Sequence, residues 1–237
     1  MRLILFDVDG TLIRSQGAGR AALVYALEQV FGTAGPVDAY HMSGKLDPRI
    51  IMDLMTAAGI ATADVEAGLP AVYNLMAENG PAIFAEKGIA PCPGVVPLLA
   101  MLSQREDVVL GLLTGNINLT APLKLAAAGI DPGLFPVGAY GSDAPDRNQL
   151  PAIAMERAGH FTGCHFNGNN SIIIGDTPAD ILCARAGRAT AVAVASGWHS
   201  AATLAQYQPD HLLENLSDTA AVLDLLLRQI NVNGNDR

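Results

Sequence analysis

Leu3-Ile4-Leu5-Phe6-Asp7-Val8-Asp9-Gly10-Thr11 is an apolar run that ends in two carboxylates, a glycine and a hydroxyl. Its length and composition are those of a buried strand closed by a turn. Such a strand delivers Asp7 and Asp9 to its C-terminal end, the edge at which open α/β sheets bind their ligands. The rest of the chain then reads as scaffold for this strand or as company for its carboxylates.

Two further apolar runs end in the same way. Val108-Val109-Leu110-Gly111-Leu112-Leu113 stops at Thr114-Gly115-Asn116, and Ser171-Ile172-Ile173-Ile174-Gly175 stops at Asp176-Thr177-Pro178-Ala179-Asp180. Shorter strands are expected at Pro136–Tyr140, Thr190–Val194 and His211–Leu213. Between them, apolar residues recur at helical spacing over Val95–Ser103, Leu119–Ala128, Leu150–Ala158, Ala179–Ala186 and Asp218–Ile230, with Gly159–Asn170 as a surface loop and Asn231–Arg237 as a polar tail. Strands alternating with helices predict an α/β fold, a doubly wound parallel sheet of Rossmann-like form.

One block breaks the alternation. Arg20–Phe31 and Arg49–Ala58 have helical periodicity, the second with Asp47 as N-cap, Pro48 in its first turn and Gly59 at its end. Asp64 to about Phe84 continues as helix, with a break at Asn79-Gly80-Pro81. No strand is evident between Ile13 and Cys92, so an inserted all-helical cap is expected over 15–90, with the catalytic core formed by 1–14 and 91–237.

Length and composition set bounds. The 237 residues suit one large domain or a domain with a modest insertion, and half of them are hydrophobic, enough for a sizeable core. A formal net charge of −9 argues against a nucleic-acid partner. Cys92, Cys164 and Cys183 are three, widely spaced and outside metal-ligand spacing, so free thiols are expected. The first strand starts too early for a signal peptide, and no apolar stretch reaches membrane-spanning length. A cytoplasmic protein is expected, with no membrane partner; its oligomeric state is not encoded in any visible pattern.

In a parallel sheet the three motif ends lie on one edge. Unit charges of like sign about 4 Å apart repel by roughly 4 kcal/mol at an effective dielectric near 20. Such a cluster of hard oxygen ligands calls for a cation, and Mg²⁺ suits it best. A carboxylate there can attack a phosphoryl group, a second can move the proton, and hydroxyl and amide groups can hold the phosphoryl oxygens.

These motifs, in this order, resemble those of the haloacid-dehalogenase-like hydrolase superfamily. The helical insertion directly after the first motif resembles the cap of its phosphoglycolate phosphatase and β-phosphoglucomutase branch. The resemblance implies that Asp7 is the nucleophile and becomes an aspartyl phosphate. It makes Asp9 the general acid and base, with its backbone carbonyl on Mg²⁺, Asp176 a direct metal ligand and Asp180 a supporting one. Thr114, with the amides of Gly115 and Asn116, would hold the phosphoryl group, and Gly10 and Thr11 would help. Aspartate at position 9 fits phosphatases and mutases and argues against the dehalogenases and phosphonate hydrolases of the superfamily.

The implied activity is a Mg²⁺-dependent phosphomonoester hydrolase acting on a small phosphorylated metabolite, phosphoglycolate first. A phosphomutase and a non-catalytic phosphate-binding domain are the alternatives. The family's lysine between the second and fourth motifs is missing, since the chain has only Lys45, Lys87 and Lys124. Arg147 stands at about the right place to replace it. Arg157 lies inside a helix and is turned away, and Lys124 reads as a surface residue. In the cap, Gly44-Lys45-Leu46-Asp47 resembles the loop that reaches over the site, where Lys45 and Arg49 could bind a substrate carboxylate or second phosphate; a solvated loop with a helix cap is the alternative. His160 and His165 read as surface residues; Trp198-His199 could border the rim of the site, with packing of the indole the first expectation.

Overall fold

The computed structural model describes residues 1–228. Eight strands and nine helices are present among them: β1 Arg2–Phe6, β2 Ile13–Arg14, α1 Ala18–Phe31, α2 Asp47–Ala57, α3 Thr62–Lys87, β3 Ala90–Pro91, α4 Val95–Leu102, β4 Val108–Leu113, α5 Ala121–Ala127, β5 Val137–Ala139, α6 Leu150–Thr162, β6 Ser171–Gly175, α7 Pro178–Ala186, β7 Thr190–Val194, α8 Ala201–Ala205, β8 His211–Leu213 and α9 Thr219–Leu227.

Six strands form one parallel sheet in the order β5-β4-β1-β6-β7-β8. Strand β1 lies between β4 and β6, with Leu5 opposite Gly111 and Ile173, so the three motif-bearing strands are neighbours. The period-2 alternation of β1 assigns its side chains to two cores. Ile4 and Phe6 pack with Leu110, Leu112, Ile172, Ile174 and Val194 under α4, α5 and α9. Leu3 and Leu5 pack with Val109, Leu113, Ile173 and Ala193 under α6 and α7. This is the expected doubly wound α/β fold.

Helices α1, α2 and α3 bury a third cluster of their own, including Leu23, Leu27, Ile51, Leu54, Met55, Val65, Val72 and Met76. Helix α3 runs unbroken from Thr62 to Lys87 with Pro70 and Pro81 inside it, against the break expected at Asn79-Gly80-Pro81. Each proline removes only one helical N–H, and packing along α1 holds the helix together across the defect. Two short strands were also missed. Ile13–Arg14 pairs antiparallel with Ala90–Pro91, tying the two crossings between sheet and helices. Gln16 adopts a left-handed φ of 46° there, and its side-chain amide donates to the Gly88 carbonyl at 2.9 Å.

Other boundaries differ for local reasons. Helix α6 passes Gly159 and ends at Gly163, whose φ of 73° suits a left-handed C-terminal residue, so the expected loop is shorter. Helix α8 was not expected; Ser200 caps it by accepting the Thr203 amide at 3.2 Å. Helix α9 covers Thr219–Leu227, and the rest of the expected helix and the polar tail, from residue 229, lie outside the described residues. No helix among the described residues is long and apolar enough to cross a membrane.

Candidate active site

The turn after β1 sets the geometry. The Leu12 and Ile13 amides both donate to the Val8 carbonyl at 3.0 Å, folding the chain back at once. Gly10 sits at φ 90°, and a Cβ there would lie 2.3 Å from an Asp176 carboxylate oxygen. Only glycine lets this turn meet the end of β6. From the other side Gly197 crowds the same oxygen, and the Thr11 hydroxyl donates to Asp176 Oδ1 at 3.3 Å.

Asp7, Asp176 and Asp180 each present a carboxylate oxygen within 4.8 Å of the others, and all three are buried. Burial, followed by the charge of Asp180, pushes the Asp7 carboxyl up to about 7 despite Arg147. Asp176 is raised well above the usual range by burial and then by Asp7 and Asp180. Asp7 and Asp180 share one buried guanidinium, that of Arg147, while among the described residues the Asp176 carboxylate accepts only from the Thr11 hydroxyl. The trio's all-oxygen donor set fits a hard divalent cation such as Mg²⁺.

Arg147 begins a 3₁₀ turn after β5, and Asp146 caps that turn by accepting the Asn148 amide at 2.9 Å. The buried guanidinium donates through Nη2 to Asp7 Oδ1 at 3.1 Å and to Asp180 Oδ1. Its Nε has no partner among the described residues. Asp180 is doubly used, because its Oδ2 also accepts from the Thr177 amide at 3.0 Å and hydroxyl at 2.7 Å, closing a capping box on α7.

Lys124 is the main correction. It was expected on the surface, yet it is buried, and its ammonium donates to Asp9 Oδ2 at 2.7 Å and to Asn116 Oδ1 at 2.6 Å. Asn116 Nδ2 donates in turn to Asp9 Oδ2 and to Thr114 Oγ1, both at 2.8 Å. Burial raises the Asp9 carboxyl, but Lys124 and these hydrogen bonds outweigh it and hold it below the usual range. A signal was present: Ala121, Lys124, Leu125 and Ala128 share the i, i+3, i+4, i+7 stripe of a helix, and a lysine on an apolar stripe needs a buried acceptor. The Asp9 carboxylate thus faces Lys124 and stands apart from the Asp7–Asp176–Asp180 trio.

Arg157 keeps away from these carboxylates, donating to the Gly138 carbonyl and pairing with Asp143. The cap residues are divided. The stretch 43–47 reaches the sheet edge, where a Cβ on Gly115 would lie 2.1 Å from the Lys45 carbonyl oxygen. The Lys45 ammonium itself lies over the Tyr40 ring at 3.9 Å, and Arg49 pairs with Asp53 at 2.8 Å with 67% of its side chain exposed. Asp47 is not an N-cap. Leu46 holds that place, and the Asp47 carboxylate accepts the Ile117 amide at 3.0 Å. Trp198 was expected to pack but is 92% exposed; Gly197 before it is pressed against Asp176, and His199 after it meets Ser43 Oγ at 3.3 Å. Cys92, Cys164 and Cys183 are free, and Cys164 and the histidines beside it gather no further ligand among the described residues.

Comparison with known proteins bears out the resemblance seen in the motifs. The HAD-hydrolase-like family matches residues 149–219. The chain is 28% identical to the phosphoglycolate phosphatase of Synechococcus elongatus over 231 residues, 97% of this chain and 100% of that one. In fold it is similar to a hydrolase from Pseudomonas syringae (TM-score 0.68, 22% identity, 95% of this chain and 99% of the other). A haloacid-dehalogenase-like family hydrolase from Streptococcus pneumoniae is also similar (TM-score 0.63, 21% identity, 94% and 98%).

Proposed function

We propose that this chain is a Mg²⁺-dependent phosphomonoester hydrolase working through an aspartyl phosphate. The observation that carries the reading is Asp7, at the end of β1, held by Arg147 beside Asp176 and Asp180. With Oδ1 bound to Arg147, Oδ2 is the attacking atom. Its bond to phosphorus forms as the ester P–O bond breaks, and the leaving oxygen takes a proton from Asp9. Asp9 then removes a proton from water, whose oxygen attacks the aspartyl phosphate. Inorganic phosphate leaves and Asp7 is restored. Lys124 and Asn116 favour the ionised form of Asp9 that the second step needs, and the proton it takes from water there is the one it gives to the leaving oxygen of the next ester. Thr114 and the Gly115 and Asn116 amides are the proposed holders of the phosphoryl oxygens, with Gly10 and Thr11 beside them. Mg²⁺, held by Asp7, Asp176 and the Asp9 carbonyl with Asp180 in support, would neutralise the phosphoryl oxygens.

The division into a core of 1–14 and 91–237 and a cap of 15–90 is part of this proposal. Phosphoglycolate is the leading substrate, supported by the names of the relatives from Synechococcus elongatus and Photorhabdus laumondii. The cap adds little support, since Lys45 and Arg49 are turned to Tyr40 and Asp53. The test is phosphate release from a panel of phosphomonoesters, phosphoglycolate among them, with and without Mg²⁺. Mg²⁺-dependent release supports the hydrolase. Isomerisation that needs a bisphosphate activator, without net release, replaces it with a mutase, and no turnover on any ester leaves a binding domain.

A further inference from the structure

We propose that Asp47, a residue of the cap, is a positioning residue for the phosphoryl-binding loop 114–117. The proposal rests on the phosphatase reading for what that loop does, but not for how it is held. Asp47 grips the loop on both sides of Asn116. Its backbone amide donates to the Gly115 carbonyl at 2.8 Å, and its carboxylate accepts the Ile117 amide at 3.0 Å. The segment between these two bonds carries the Asn116 amide, and the Asn116 side chain that holds Asp9 and Lys124.

The end of β5 and the residues just after it also secure the loop. The Thr114 amide donates to the Ala139 carbonyl at 3.1 Å, and the Gly141 amide to the Asn116 carbonyl at 2.8 Å. There is no slack between the two sets of bonds. A Cβ on Gly141 would lie 2.0 Å from the Gly115 carbonyl oxygen, and one on Gly115 would lie 2.1 Å from that of Lys45. Leu46, next in the chain, is buried in the sheet's own cluster with Leu113, Ala139 and Leu150. Helix capping does not account for Asp47, since α2 has no side-chain cap and the carboxylate is spent on a different segment. Any displacement of the segment that carries Asp47 would cost the Gly115 carbonyl and the Ile117 amide these partners together. Ordering of the loop and seating of that segment are therefore one event.

The experiment compares Asp47→Ala with Asp47→Asn, which keeps an oxygen acceptor for the Ile117 amide. With p-nitrophenyl phosphate as probe, Asp47→Ala should lower kcat by about tenfold or more with KM changed little, and Asp47→Asn should recover most of it. Amide hydrogen exchange at Ile117, measured without substrate, should accelerate in the Ala variant and return towards the parent rate in the Asn variant. If Asp47→Ala does not fold, Asp47→Glu, which displaces the acceptor by one methylene, takes its place. An Ile117 amide no faster than in the parent, or an Ala variant with the parent's kcat, overturns the proposal. Absence of turnover in the parent chain would overturn the phosphatase reading alone, because exchange still reports on the grip.

Discussion

At the scale of single residues the site is two cation–carboxylate pairs with different duties. Arg147 fastens Asp7, and Lys124 fastens Asp9. Asp7→Asn should abolish turnover while the circular dichroism spectrum and melting temperature stay near the parent's; a variant with undiminished phosphate release removes Asp7 as nucleophile. Lys124→Met and Arg147→Ala should each lower kcat by about tenfold or more. Arg157→Ala, which removes a partly exposed pair, should stay within about threefold. In Lys124→Met the acidic limb of the pH–rate profile should also move to higher pH, because Asp9 loses the charge that holds it down. Equal, small losses in all three would leave both pairs without a catalytic role. Asp47 gives a separate pH prediction. Burial lifts its carboxyl from 3.8 to about 6, so the folded chain binds this proton more tightly than the unfolded one. Its contribution to stability therefore falls as pH rises between those values. Asp47→Asn should flatten that part of the melting-temperature curve and melt higher than the parent above pH 6. A curve parallel to the parent's would assign the proton elsewhere.

At the scale of elements, the strands were the most legible part of the chain. The runs ending at Phe6, Leu113 and Gly175 are buried on both faces and uninterrupted, so the sequence marks their ends sharply. Helices were legible where periodicity agreed with end signals, and misread where punctuation conflicted with packing. Pro81 and Gly159 look like stops, yet α3 and α6 continue through them because tertiary contacts outweigh local preference. Helix α3 nevertheless forgoes a hydrogen bond at Pro81. Pro81→Ala should restore it and stabilise the chain by about 1–2 kcal/mol, the helix gain being partly offset by a freer unfolded chain. Thermal or urea melting reads this directly, and a destabilised variant would mean that the proline ring itself makes the packing there. The pair β2–β3 has two residues in each strand, too few for any periodic signal.

At the scale of the molecule, the sequence disclosed which residues share the sheet edge, because topology alone brings three strand ends together. It did not disclose that Lys124 meets Asp9, whereas the resemblance puts Arg147 in the place of the lysine that bridges to the nucleophile. Lys124 and Arg147 arrive from α5 and from the turn after β5, and their partners depend on helix rotation and side-chain reach. The reach of Gly44–Asp47 over the site was expected from the resemblance, but its partners were hidden, since they are backbone atoms distant in sequence. One prediction belongs to the whole assembly. The crowded trio should make the protein more stable when a cation is bound, by about 2.7 kcal/mol at a hundredfold excess over Kd. Titrating Mg²⁺ into chelator-treated protein should raise the melting temperature in the parent and not in Asp176→Asn. A rise of equal size in both would place the ion elsewhere.

The exposed indole of Trp198 has a practical use. It is the sole tryptophan of the chain, and it stands between a glycine pressed on Asp176 and a histidine that touches Ser43 of the cap. Excited near the red edge of protein absorption, the molecule thus carries one emitter, sited where the rim meets the helices above it. Its quenching by iodide and its emission maximum can report ligand arrival at that rim in real time, with no dye attached and no second fluorophore to subtract.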